Sequence, residues 1–305
     1  MTILTILGII ILLLIVSIGI LFLCFPQHLI HSMNSKYAKQ AKVERRVINI
    51  NDYNAHYFIS RDQSHKETLV LLHGMTDNKN SFLQACKKLS NNYNLILPDL
   101  MGHGENIKKT DLEYSIEAQI NFLNVLLSKL EINKCNLVGA SMGGHISALY
   151  ALKYPDMVKK LIIINSAGIE LDNYPIYKDF GQDVFTKEKF DEMFSKLYHI
   201  KPKLPFPFKK YMINEVNKTR NFIDNILLPS IKKGTYFDLK QYIPNITVPT
   251  LILRSEYDSV IPYEVAETFH ENIANSELQI IKDSAHSPQL EVPETVAQII
   301  HSFLT

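Results

Sequence analysis

One long apolar run opens this chain, and short apolar runs separated by segments of helical periodicity fill most of the rest. Thr2 to Phe25 is uncharged and almost wholly apolar. As a helix it would be about 36 Å long at 1.5 Å per residue, enough for a hydrocarbon core of about 30 Å with some tilt. The pattern predicts a single N-terminal transmembrane anchor over residues 1–26, followed by a polar juxtamembrane linker over 27–42. A cleaved signal peptide fits less well, because no Lys or Arg precedes the run, the run is too long, and no small-residue cleavage site ends it. Lys36, Lys39, Lys42, Arg45 and Arg46 follow the run closely, so the rest of the chain is expected on the cytoplasmic side of the membrane.

Beyond the linker, Val43 to Ile50 and Ala55 to Arg61 read as a leading antiparallel pair of strands. Apolar runs then recur at Thr68 to Leu72, Leu95 to Pro98, Cys135 to Val138, Leu161 to Asn165, Thr250 to Leu253 and Leu278 to Ile281. Between and after them, Asn80 to Leu89, Ser115 to Leu130, Met142 to Tyr154, Tyr263 to Asn272 and Glu291 to Leu304 are patterned as helices. Such alternation predicts an α/β domain over residues 43–305, with a mostly parallel sheet covered by helices. The rhythm breaks from about 170 to 244, where no buried strand is legible and the helical stretches are dense in Phe and Tyr. This interval reads as an inserted helical cap. Phe180, Phe185, Phe190, Phe194 and Tyr198 either line a binding cavity or form a small core, and both readings stand at this point. Within the same interval, lysines at 201, 203, 209 and 210 flank Leu204, Phe206 and Phe208. That loop is either membrane-seeking or a proline-stiffened hinge.

Composition narrows the chemistry. With 32 Lys+Arg against 31 Asp+Glu the formal net charge is +1, which supplies no field for nucleic acid. Cys24, Cys86 and Cys135 lack the short spacings of metal sites or disulfide frameworks. No phosphate loop, dinucleotide fingerprint or zinc-binding helix is present, so neither cofactor nor metal is expected, and no obligate protein partner is implied.

The chemistry-bearing signal is Gly139-Ala140-Ser141-Met142-Gly143, set between a strand and a helix-patterned run. A tight strand-to-helix turn needs small flanking residues and presents the serine hydroxyl at a helix N-terminus. Ser141 is the candidate nucleophile. A serine needs a histidine base and a carboxylate to orient it, and these are expected in the order Ser, Asp, His. Asp258 follows the strand Thr250 to Leu253, and His286 follows the strand Leu278 to Ile281. Asp283 and Glu256 are the rival acids. Two backbone amides should hold a developing oxyanion: that of Met142, directly after the nucleophile, and that of Met75, which Gly74 lets turn inward. His73 and the loop from Asp99 to Gly104 read as supports for this loop architecture.

His73-Gly74-Met75, Pro98-Asp99-Leu100-Met101-Gly102-His103-Gly104, Gly139-Ala140-Ser141-Met142-Gly143-Gly144, and Asp258 with His286 resemble the α/β-hydrolase superfamily. Together with the apolar N-terminus, Ser-Met-Gly-Gly is similar to membrane-anchored monoacylglycerol lipases and related bacterial lipases. The resemblance implies the α/β-hydrolase fold, a mostly parallel eight-stranded sheet with an inserted helical cap. It implies cleavage of carboxylic esters, foremost fatty-acyl esters such as monoacylglycerols, by a catalytic domain beside a bilayer. Phe180, Phe185, Phe206 and Phe208 are then the candidate substrate contacts. Ser255 and Ala285 stand where the family usually has Gly. The same triad also serves esterases, thioesterases and C–C bond hydrolases of small non-lipid substrates, and a non-catalytic ligand-binding protein is a further alternative.

Overall fold

The computed structural model describes residues 3–50, 53–62, 66–172, 174, 176 and 185–305, apart from the side chains of residues 4, 15, 18, 20 and 21. The chain begins with α1 (Ile3–Cys24), an uncharged helix with most of its described side chains exposed. Among the described residues no helix is long and apolar enough to cross a membrane. The single crossing expected of residues 1–26, and the cytoplasmic orientation that depended on it, draw no support from the described helix. What stands is an exposed apolar helix whose final turns are engaged by protein, with Phe22 against Phe208 at 5.3 Å between ring centroids.

The expected polar linker is also a helix, α2 (Pro26–Gln40). Pro26 occupies its first turn, where a missing N–H loses nothing, and Pro26 and Ala38 are buried against the domain. There follow β1 (Val43–Ile50), β2 (Tyr53–Ser60), β3 (Glu67–Leu72), α3 (Leu83–Leu89), β4 (Tyr93–Pro98), α4 (Ile116–Lys129), β5 (Cys135–Ala140), α5 (Met142–Lys153) and β6 (Val158–Ile164). The interval read as an insertion carries α6 (Lys187–Leu197) and α7 (Phe206–Phe222), which runs through a π turn into α8 (Leu228–Lys232). The alternation resumes with β7 (Thr250–Ser255), α9 (Tyr263–Asn272), β8 (Ser276–Ile281), α10 (Pro288–Glu291) and α11 (Pro293–Leu304).

The strands form one eight-stranded sheet in the order β1-β2-β4-β3-β5-β6-β7-β8. The β1–β2 and β2–β4 pairs are antiparallel and the others parallel. Successive strand residues point to opposite faces, and the core divides accordingly. Val70, Leu72 and Leu137 belong to one apolar cluster with α4 and α5, while Leu69, Leu71 and Val138 belong to another with α3 and α11.

Three boundaries differ from the sequence reading for local reasons. α3 starts at Leu83, because the Asn78 side chain accepts from the Asn80 amide at 3.0 Å and holds that stretch as a turn. β7 continues to Ser255, where pairing with Ile281 of β8 extends the ladder. The closing helix divides at Val292, since Pro293 has no N–H with which to continue α10.

Candidate active site

The C-terminal ends of β3, β5, β7 and β8 bring the sequence-selected residues to one edge of the sheet. Ser141 joins β5 to α5 with φ 54° and ψ −118°, a conformation disfavoured for a residue with a side chain. Its backbone is fixed on both sides: its N–H donates to Ile164 O at 2.9 Å, and its carbonyl accepts from Gly144 N at 2.9 Å. The elbow admits only glycine at its flanks. A Cβ on Gly139 would lie 2.0 Å from Gly143 O, and one on Gly143 would lie 2.3 Å from Leu72 O.

Asp258 and His286 are paired, with Nδ1 of His286 donating to Oδ2 of Asp258 at 3.0 Å. The Asp258 side chain is fully buried and takes further donors on both oxygens. Val260 N and Ile261 N donate to Oδ1 at 2.7 and 3.1 Å, and Arg254 Nη1 lies 2.8 Å from Oδ2. Burial alone would raise the carboxyl pKa, but His286, Arg254 and the Val260 amide together hold it below the usual carboxylate range. Asp258 is therefore ionised at neutral pH and commits His286 Nδ1, leaving Nε2 as the free ring nitrogen. The rival acids do not take this place: Glu256 Oε2 accepts from Asp283 N at 3.3 Å in an exposed turn. No hydrogen bond joins Ser141 to His286 among those of the described residues.

The loop after β3 abuts the elbow, for a Cβ on Gly74 would lie 3.2 Å from the Ser141 Cβ. His73 governs the orientation of this loop. Its Nε2 accepts from Leu100 N at 3.0 Å, so Nδ1 carries the proton and donates to Gly74 O at 2.8 Å. Holding that carbonyl fixes the peptide plane whose other end is the Met75 N–H. Met142 supplies the first amide of α5, which has no acceptor within the helix. Neither the Met75 nor the Met142 amide has a protein acceptor among the described hydrogen bonds, and Met142 N sits at a helix N-terminus suited to negative charge.

The candidate substrate contacts are not gathered in the same way. Phe180 lies outside the described residues. Phe185 is buried in a small aromatic cluster with Phe190 and Phe194, so its ring is taken up by packing, as in the small-core alternative. Phe206 is 64% exposed, and Phe208 rests on Phe22 of α1. The stretch from 201 to 210 is a loop only as far as Pro205, beyond which α7 begins.

Three supporting residues escaped the sequence reading. Asn165, at the end of β6 with φ 44°, donates to Ser255 Oγ at 2.9 Å and His286 O at 3.2 Å, and accepts from Ser255 N at 2.8 Å. Arg254 looks like an ordinary strand-end cation in sequence. Lys79 is buried with Asp99 at 2.6 Å and also contacts Glu105, which ties the loop after β3 to the loop after β4. Only the spacing of Arg254 four residues before Asp258 gave a readable hint.

A family profile described as "alpha/beta hydrolase fold" matches residues 67–293. Monoacylglycerol lipase ABHD6 of Homo sapiens is 26% identical over 298 residues, covering 93% of this chain and 88% of that protein. Lipase 1 of Psychrobacter immobilis is 30% identical over 250 residues, covering 78% of this chain and 76% of that one. A crystal structure of a membrane phospholipase A superposes with a TM-score of 0.85 at 26% identity, over 98% of this chain and 97% of the other.

Proposed function

Since this chain belongs to the α/β-hydrolase fold family, we propose that it is an ester hydrolase acting on fatty-acyl esters, monoacylglycerols foremost, through an acyl-enzyme on Ser141. The observation that supports this most is the meeting at one sheet edge of the Ser141 elbow and the His286–Asp258 pair. The substrate class follows the relatives, which are named monoacylglycerol lipase and lipase.

In this reading His286 Nε2 takes the Ser141 proton as Oγ attacks the ester carbonyl. The amides of Met75 and Met142 hold the oxyanion that forms. When the tetrahedral intermediate collapses, the C–O bond to the alcohol breaks and His286 returns the proton to the leaving oxygen, leaving the acyl group on Oγ. Water then gives a proton to His286, attacks the acyl carbon, and releases the fatty acid with Ser141 reprotonated. Asp258 keeps the ring in the productive tautomer and stabilises the imidazolium.

Exposed α1, together with Phe206 and Ile200 near the inserted helices, holds the domain against a lipid surface, with Lys201, Lys203 and Lys210 meeting anionic headgroups. The experiment is hydrolysis of monoacylglycerols and of p-nitrophenyl esters graded by chain length, with fluorophosphonate labelling of wild type and Ser141→Ala. Labelling that requires Ser141, with long-chain esters preferred, supports the reading. Wild type inert to both would overturn it, and a preference for short soluble esters would move the substrate class away from lipid.

A further inference from the structure

The Glu291 carboxylate gathers three backbone amides from two separate parts of the chain. Oε1 accepts from His199 N at 2.7 Å and Ile200 N at 3.1 Å, just beyond the end of α6, and Oε2 accepts from Ala285 N at 2.6 Å. Ala285 directly precedes His286. The residue on the other side of His286 is held by the same inserted segment, for Ser287 N donates to Leu197 O at 3.1 Å. A further attachment runs through a side chain: the His199 ring stacks on Tyr257 with centroids 3.9 Å apart and planes 9° from parallel. Tyr257 directly precedes Asp258. The backbone on either side of His286, and the residue before Asp258, are thus all fastened to the stretch from Leu197 to Ile200.

Amides bonded to a carboxylate form stronger hydrogen bonds than neutral pairs. Here that strength is directed between two elements rather than within one. We propose that Glu291 is a positioning residue for hydrolysis: it ties the end of α6 to the Ala285 amide and so holds the His286 ring in register with Ser141. The inference rests on reading Ser141, Asp258 and His286 as the catalytic set. Glu291 reaches neither Ser141 nor the reacting carbonyl, so it acts through the loop that carries His286. Catalytic geometry must hold to a fraction of an ångström, and a displacement of about 1 Å can cost about 100-fold in rate. Any outward shift of α6 is therefore felt at the base itself, as well as at the mouth of the site.

The test compares the full-length wild type with Glu291→Ala, Glu291→Gln and His199→Ala. A short p-nitrophenyl ester, a fluorophosphonate probe and thermal melting supply the readouts. Glu291→Ala removes all three acceptor contacts, so kcat should fall about tenfold or more with KM nearly unchanged. Probe labelling should slow in proportion, while the fraction finally labelled stays that of wild type. Glu291→Gln keeps one acceptor oxygen and should fall between the two. His199→Ala deletes an exposed ring but no backbone bond; it should lower kcat about threefold and combine with Glu291→Gln less than additively. A merely structural role would lower the melting midpoint and leave kcat per labelled molecule unchanged, and that result would overturn the proposal. If Glu291→Ala does not fold, wild-type kcat in both other variants overturns it equally. A wild type that neither hydrolyses nor labels would strike the reading of Ser141 instead.

Discussion

Arg254 Nη1 lies 2.8 Å from Asp258 Oδ2, the same oxygen to which His286 donates at 3.0 Å. Nη2 of the same guanidinium donates to the Asp258 carbonyl at 2.7 Å, so Arg254 braces both the charge and the backbone of that residue. Both side chains are buried. Removing one partner from such a pair leaves an uncompensated charge, so Arg254→Met should destabilise by about 3–5 kcal/mol. The depressed carboxyl pKa adds stability that is present above the unfolded value and lost as pH falls through the folded one. Without Arg254 the folded value rises, so acid unfolding should begin at higher pH than in wild type. Denaturant melts across the acid range check this, and an unmoved acid limb would refute it.

Ser141 is held at φ 54°, where a glycine sits without strain. Ser141→Gly should therefore abolish hydrolysis while raising stability by about 1 kcal/mol. Ser141→Ala should be equally inactive but gain nothing, since alanine keeps the Cβ. Equal stability in the two variants would show that the elbow stores no strain.

His103 and His145 are buried and titrate far below their ordinary value, at about 3 and about 4, with burial the main cause in each. His145 Nε2 donates to Tyr236 O at 2.9 Å, and the Nε2 of His103 is buried with no hydrogen-bond partner among the described residues. Unfolded histidines bind protons near pH 6.5, so between about pH 6.5 and 4 the unfolded chain holds more protons. Stability from these groups is complete above that window and drains away as pH falls through it, by up to about 1.4 kcal/mol per unit for each group. Urea unfolding across the window should show this slope, and His145→Gln should reduce it by about one proton. A slope unchanged in that variant would contradict the assignment.

Phe206 exposes 64% of its surface beside a lysine-bearing loop. Phe206→Ser should weaken binding to anionic vesicles and slow hydrolysis of bilayer-embedded monoacylglycerol, while leaving a short soluble ester almost unaffected. Added salt should diminish the vesicle binding of wild type, because attraction between exposed charges is screened within about 10 Å at 0.1 M ionic strength. Equal loss on both substrates would assign Phe206 to the fold or the pocket.

The sheet and the placement of Ser141, Asp258 and His286 were readable because each rests on a local signal. Period-2 and period-3.6 patterns mark strands and helices, and glycines crowd the Ser141 turn for steric reasons visible in the bare motif. Chain order then leaves few histidines after the last strand. Asn165, Lys79 and Glu291 were not readable, because each has partners 20 to 121 residues away in sequence and a polar side chain at a strand or helix end looks solvated until the fold buries it. α2 was misread for a related reason. Its face is too polar to announce a buried stripe: Pro26 and Ala38 alone are buried among its described residues, with Tyr37 partly buried against the core. The aromatics between 180 and 208 carry helical spacing but no depth information, so cavity and core looked alike.

The inserted helices leave the sheet after β6 and return at β7, and those two strands are immediate neighbours. A segment whose ends are already pinned side by side can lengthen, shorten or change character at an entropic cost that grows only with the logarithm of its length. Ser141 precedes the excursion, while Asp258 and His286 follow it. On the proposed reading, the segment between β6 and β7 can vary without moving the strands that carry Ser141, Asp258 and His286. Exchanging residues between the two strands for the matching interval of another member of the fold should transplant substrate range, provided that the incoming segment still offers Glu291 backbone amides like those of His199 and Ile200.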